Sequence, residues 1–247
     1  MKIKVINPNT TWEMTKGIEN AAKSVARQDT EIIAVSPEMG PASIESFYDE
    51  YLSIPGVLEE VRKGEEEGIN AYIIACYGDP GLQAAREVTK APVIGIAEAS
   101  MYMASILAAR FSVVTVIPRI KTMLDELVAG YGMQHRVVKV RTTPLSVLDI
   151  EKDPEAAMEM LKEEGRRAVK EDDAEAILLG CAGMAELANE LEKELEVPVI
   201  DGVVAAVKFA EAIVELGKTT SKLKTYKSPE RKEFAGLLKH YGSLGDN

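Results

Sequence analysis

The order of apolar and helical segments predicts an α/β protein built of two similar doubly wound parallel-sheet α/β/α domains related by internal pseudo-symmetry. Three observations carry this. Short continuous apolar runs recur along the 247 residues, as strands buried on both faces require. Segments of helical spacing lie between them, which suits right-handed parallel crossovers. The second half also repeats the first at a shift of about 105 residues.

Residues 3–6 form the first strand. Asn9 or Thr10 can cap the following helix, in which Met14, Ile18, Ala21, Ala22 and Val25 share one face. Residues 32–35 are the next strand, ended by Ser36-Pro37. Residues 38–55, rich in Gly, Pro and Ser, read as a loop, and 57–67 as a charged helix closed by Gly68. Residues 71–75 form a strand that leads into Cys76. Asp79 and Pro80 suit the start of a helix over 82–89, and 92–96 begins another strand.

The repeat superposes these elements on the second half. Residues 71–76 (AYIIAC) fall on 176–181 (AILLGC), and 91–96 (APVIGI) on 197–202 (VPVIDG). Ala99 and Ala104 fall on Ala205 and Ala210, and Gln28 on Gln134. The first strand, ending at Asn7-Pro8, falls near residues 111–117, which end at Pro118. A period this long is not that of a solenoid, and it reads as duplication. The first domain is expected over residues 1–96 plus 204–247 and the second over 97–203, with the helix after Val204 returning to the first.

Composition narrows the function. Apolar residues at 46% and charged residues at 28% are globular values, and a chain of this length buries a core without staples. Two cysteines and two histidines leave no disulfide framework, no four-thiolate zinc site and little scope for histidine metal chemistry. A net charge of −11 argues against nucleic acid and anionic membrane as partners. No apolar run approaches a membrane span, and the first residues, MKIKVINPNTT, read as a strand and not as a signal peptide. A cytoplasmic protein is expected. The tail from Lys218 is different, with seven basic residues against three acidic ones. It is expected to fold back on the acidic body or to dock on a neighbouring subunit.

Cys76 and Cys181 each sit at the carboxyl end of a strand, where open parallel sheets bind ligands. A helix start just beyond each would favour the thiolate. Each cysteine alone reads as a small buried hydrophobe. A disulfide or a two-cysteine metal site are further readings, with His135 and His240 placed at the surface. As equivalent residues of two halves facing one cleft, however, the pair suits inversion at carbon. One thiolate removes a proton from one face and the other thiol returns one to the opposite face. Backbone N–H groups would stabilise the carbanion. No pyridoxal lysine site or nucleotide loop is evident, so no cofactor is expected.

The chain resembles the aspartate/glutamate/hydantoin racemase superfamily, in particular its hydantoin and allantoin racemase branch. The resemblance spans essentially the whole chain. It rests on residues 6–10 (INPNT), 40–46 (GPASIES), 76–81 (CYGDPG) and 179–184 (LGCAGM), and on Thr220-Ser221-Lys222 with Tyr226. It implies two α/β/α domains with a cleft between them, and Cys76 and Cys181 as the acid/base pair. It further implies that Asn7, Ile44, Tyr77, Gly78, Thr115, Val116, Ala182 and Gly183 surround a planar ring. Ser43 and Glu45 fall in the long loop, where lids and binding segments occur. Amino-acid racemases of the superfamily follow the first cysteine with Asn-Thr and the second with Thr. Tyr77-Gly78 and Ala182-Gly183 depart from that. The branch often carries Thr-Thr where this chain has Thr115-Val116.

The expected function is cofactor-independent racemisation of 5-monosubstituted hydantoins, with allantoin racemisation as the alternative. Amino-acid racemisation, a related decarboxylase or cis–trans isomerase, and a non-catalytic small-molecule binding protein stand behind these. A homo-oligomer is expected, with Met101, Met103, Ile106 and Leu107 as one apolar face available to it.

Overall fold

The structure is a computed structural model that describes residues 1–243, apart from the surroundings of residues 150, 151, 154, 183, 185, 186 and 243. Strands β1 (Lys2–Ile6), β2 (Glu31–Val35), β3 (Ala71–Ile74) and β4 (Val93–Gly95) form one parallel sheet, in the order β2-β1-β3-β4. Strands β5 (Phe111–Val116), β6 (Val137–Thr143), β7 (Ala176–Leu179) and β8 (Val199–Asp201) form a second parallel sheet, in the equivalent order β6-β5-β7-β8. The inner strands β3, β5 and β7 are buried along their whole length, which is why they lack polar alternation. Lys4 in β1 is the exception. Its ammonium is met by Glu60 at 3.3 Å and Glu67 at 3.1 Å, so the buried charge is paired.

Helices α1 (Trp12–Val25), α2 (Phe47–Glu67), α3 (Leu82–Val88) and α4 (Ile96–Leu107) follow the first four strands. Helices α5 (Lys121–Gly130), α6 (Asp149–Lys152), α7 (Pro154–Glu171), α8 (Ala188–Leu195) and α9 (Gly202–Glu215) belong to the second run. Helix α2 starts well before the expected boundary and carries Pro55 inside it. Ser46 caps it: its Oγ accepts from the Asp49 N–H, while Asp49 Oδ2 accepts from the Glu45 N–H at 3.1 Å. Pro37 and Met39 cross directly over Gly56, and Ser53 and Val57 are buried beneath. Packing and a strong cap thus outweigh the helix bond lost at proline, a penalty of about 3 kcal/mol.

The last helix of each half crosses to the other. Helix α4 packs on β7 and β8, α9 packs on β3, β4 and α1, and the two helices pack on each other. Their buried faces are largely alanine and glycine, which permits close approach. A Cβ placed at Gly202 would lie 2.6 Å from the Ile96 carbonyl oxygen. One apolar core runs through both halves as a result. Met101 belongs to that core, whereas Ile106 and Leu107 are exposed. No helix among the described residues is long and apolar enough to cross a membrane.

The basic tail folds back on the first half. Thr220 donates to the Lys90 and Ala91 carbonyls. The Lys222 ammonium donates to the carbonyls of Arg86 and Glu87 at the end of α3, which is where a helix favours a cation.

Gly202→Ala is expected to destabilise the protein by about 1–3 kcal/mol, because the obstructing atom is backbone and cannot rotate away. Gly17→Ala, with nothing within 4 Å of the new methyl, should raise stability by about 0.5–1 kcal/mol. Urea unfolding of both variants checks the contrast.

Candidate active site

The two cysteines occupy equivalent turns. Beyond β3, the Ala75 N–H donates to the Ile6 carbonyl at 2.8 Å, and beyond β7 the Gly180 N–H donates to the Val114 carbonyl at 2.8 Å. The chain then turns over each thiol, with the Asp79 N–H on the Cys76 carbonyl at 2.9 Å and the Met184 N–H on the Cys181 carbonyl at 3.1 Å. The two cysteines are not joined in a disulfide, and both line one cleft between the halves.

The walls of this cleft are mostly apolar. Asn9, Met14 and Ile44 come from the first half; Val116, Ile120, Met123, Leu124 and Val147 come from the second. No lysine or arginine lines it among the described residues. Across its mouth, Glu45 Oε1 accepts the Val147 N–H at 3.2 Å and the Ser43 hydroxyl at 3.2 Å. The loop that carries Ile44 is thereby tied to the opposite half. Ile117, next to Val116, has φ of 56°, a strained conformation for a β-branched residue at the cleft rim.

The structure brings most of the expected residues to the cleft. Ile44, Tyr77, Gly78, Val116 and Ala182 line it with the two cysteines. Asn7 lies elsewhere: its amide donates to Asn9 Oδ1 at 2.9 Å and Thr15 Oγ1 at 3.0 Å, holding the turn into α1, and Asn9 is the residue at the cleft wall. Thr115 is fully buried, its hydroxyl on the Gly180 carbonyl at 2.7 Å, and it braces the turn before Cys181. The Tyr77 hydroxyl is turned inward to share a hydrogen bond with Ser100. Gly183 lies outside the described residues. Ile120, Met123, Leu124 and Val147 were not anticipated from the sequence.

A model of the Asp/Glu/Hydantoin racemase family matches residues 3–210. The chain belongs to that family. It is 75% identical over 242 residues to the hydantoin racemase of Pseudomonas sp. (strain NS671), covering 98% of this chain and 97% of the relative. It is 49% identical to the hydantoin racemase of Rhizobium meliloti, over 96% of this chain and 98% of the relative. The solved allantoin racemase from Klebsiella pneumoniae superposes with a TM-score of 0.95 at 47% identity, covering 99% of each chain.

In this racemase-family chain, burial dominates the electrostatics of the cleft. It raises the Cys76 thiol well above its ordinary pKa, with Cys181, Glu50 and Asp79 adding to the rise and a hydrogen bond from the Gly78 N–H opposing it. A helix start was expected to lower the thiol. Helix α3 begins only at Leu82, so its N-terminus does not reach Cys76. Cys181, in contrast, immediately precedes a 3₁₀ turn over Ala182–Leu187.

Asp79 also differs from the expectation that it caps α3. It has φ of 48°, and its carboxylate accepts the Ala97 and Glu98 N–H groups at 3.1 and 2.9 Å, capping α4 instead. The Tyr131 hydroxyl of the second half donates to it at 2.6 Å. The carboxylate occupies the space a side chain at Gly95 would need. Burial pushes Asp79 up to about 7, against its hydrogen bonds. Asp201 caps α9 in its turn, on the Val204 N–H at 2.8 Å, and burial pushes it up to about 6. Glu50, from α2, is pushed up to about 7 by burial and by Asp79 and Glu126.

These three carboxyls have folded-state pKa values above their unfolded ones. Between the two values the folded chain holds more protons than the unfolded chain, so stability falls as pH rises. The expected outcome is a contribution that lowers the melting temperature from about pH 4 to about pH 7. Glu50→Gln removes one share of it, so its melting temperature should fall less over that interval than the parent's in buffered calorimetry.

Proposed function

We propose that this protein racemises 5-monosubstituted hydantoins without a cofactor, with Cys76 and Cys181 working on opposite faces of ring carbon 5. The observation that carries the assignment of the cysteines is their equivalence: the same turn, after the same strand, on facing walls of one cleft. The curated relatives named hydantoin racemase support the substrate class.

In one direction the Cys76 thiolate removes the carbon proton and the Cys181 thiol supplies one to the other face. The reverse direction exchanges the roles. A buried thiolate is poorly solvated and hence a strong base, which suits a carbon acid activated only by one carbonyl. Its scarcity at rest is the cost of that strength. The negative charge that develops on the ring oxygens needs N–H donors, and the turns after the two cysteines present backbone toward the cleft.

The apolar walls favour an alkyl, thioether or aryl substituent over the ureido group of allantoin, whose two nitrogens and one oxygen would find few partners beside Ile120, Met123 and Leu124. Allantoin is the second reading because solved allantoin racemases share the fold closely. Free amino acids fit less well, since no cationic side chain among the described residues faces the cleft to receive a carboxylate.

Cys76→Ser and Cys181→Ser are each expected to lower inversion of an enantiopure hydantoin by about 10³-fold or more. Each should retain carbon-5 deuterium exchange on a single enantiomer, seen by proton NMR in heavy water. Inversion at parental rate by either variant would disprove the two-base assignment. In a circular-dichroism comparison, 5-benzyl- or 5-isobutylhydantoin should exceed allantoin in kcat/KM by about tenfold or more. A ratio in favour of allantoin would reverse the order of the two readings.

A further inference from the structure

Glu50 is a half-buried acid that the two-cysteine mechanism leaves without a task. Its Oε2 is shielded from solvent and has no hydrogen-bond partner. The same oxygen rests on Gly78, where an added Cβ would lie 2.8 Å from it. The Gly78 N–H in turn holds the Cys76 sulfur. Gly78 is also a thin partition. It lines the cysteine cleft on one side, and on the other a second, wider cleft lined by Glu50, Asp79, Glu126 and Tyr131.

A two-base racemase ends each turnover with the protonation states of its two sulfurs exchanged. Before the same enantiomer can react again, Cys76 must lose a proton and Cys181 must regain one. The walls of the cysteine cleft are mostly apolar, so few groups beside the sulfurs can carry these protons.

We propose that Glu50 is the proton-exchange group of Cys76, passing its proton past Gly78 to water in the outer cleft between turnovers. The inference rests on the two-cysteine reading. In the step, the Cys76 S–H bond breaks with its electron pair left on sulfur, and an O–H bond forms on the Glu50 carboxylate. Outer-cleft water then takes that proton and restores the carboxylate. The Cys181 thiolate takes a proton from water on the central side. The net change is one proton moved from one sulfur to the other, with no redox change.

The surroundings suit the task. Asp79 and Glu126 face Glu50, and with burial they hold its carboxyl near neutrality, so both forms are populated at working pH. The cation of the outer cleft, Arg86, is engaged by Glu98 at 2.6 Å and by the Val93 carbonyl. Tyr131 is engaged by Asp79.

The test is steady-state racemisation of an enantiopure 5-substituted hydantoin by Glu50→Gln, from low to saturating substrate. Resetting the free enzyme limits kcat but leaves kcat/KM almost unchanged. The variant should therefore lose about tenfold in kcat, lose KM in parallel, and regain kcat with added imidazole, while the parent ignores the buffer. A purely structural role would instead lower kcat and kcat/KM together. That outcome, or an unchanged kcat at saturation, would overturn the proposal. Glu50→Asp withdraws the carboxyl from Gly78 with less disturbance of the fold. It should show the same split to a smaller degree, and its absence there counts equally against the proposal should the glutamine variant fold poorly. Absence of turnover by the parent protein overturns the racemase reading and this inference with it. Parental turnover with no such split overturns the Glu50 assignment alone.

Discussion

The close packing of α4 against α9 is the constraint from which the cysteine cleft follows. Each of these helices starts at the carboxyl end of one sheet and is buried against strands of the other. Their first turns meet where Gly202 faces the Ile96 carbonyl, with no room for a side chain. Because the exchange is mutual, the carboxyl ends of the two sheets face each other across a pseudo-twofold relation. Whatever stands just after β3 and β7 then stands on opposite walls of one cleft, and here those residues are cysteines. The larger apolar core, continuous through both halves, makes that relation stiff.

The same junction explains the buried acids. A helix start buried at a domain junction leaves N–H groups that water cannot reach. Asp79 and Asp201 satisfy them, one from a neighbouring loop and one from the helix's own first position. The two halves differ here although their strands repeat: residue 184, the repeat partner of Asp79, is Met184. Asp79 also receives Tyr131 from the opposite half, so one carboxylate joins the Cys76 turn, α4 and α5. The symmetry is that of backbone and sulfur, while the supporting polar groups are asymmetric.

In the proposed reaction, desolvation of the Cys76 thiol sets two requirements against each other. A desolvated thiolate is a stronger base toward a carbon proton, yet it is costly to form. The absent side chain at Gly78 lets the Glu50 carboxyl lie beside the turn that holds the sulfur, which is the basis of the proton-exchange proposal.

Much of the plan was legible in the chain. Strand positions, the two-sheet architecture and the pairing of Cys76 with Cys181 follow from apolar runs and from a repeat in register, because parallel strands buried on both faces leave a periodic signal. Boundaries set by packing were not legible: α2 runs through Pro55 because Ser46 caps it and a loop crosses at Gly56. The site showed the same division. Ile44, Cys76, Tyr77, Gly78, Val116, Cys181 and Ala182 were named from the sequence and line the cleft, whereas Asn7 and Thr115 brace turns and Val147 was not anticipated. Residue identity alone determined which atoms can carry protons and on which strand ends they sit. Only the tertiary structure decided how dry those atoms are, which carboxyls approach them and which helix Asp79 caps, because burial and contact arise between segments far apart in the chain.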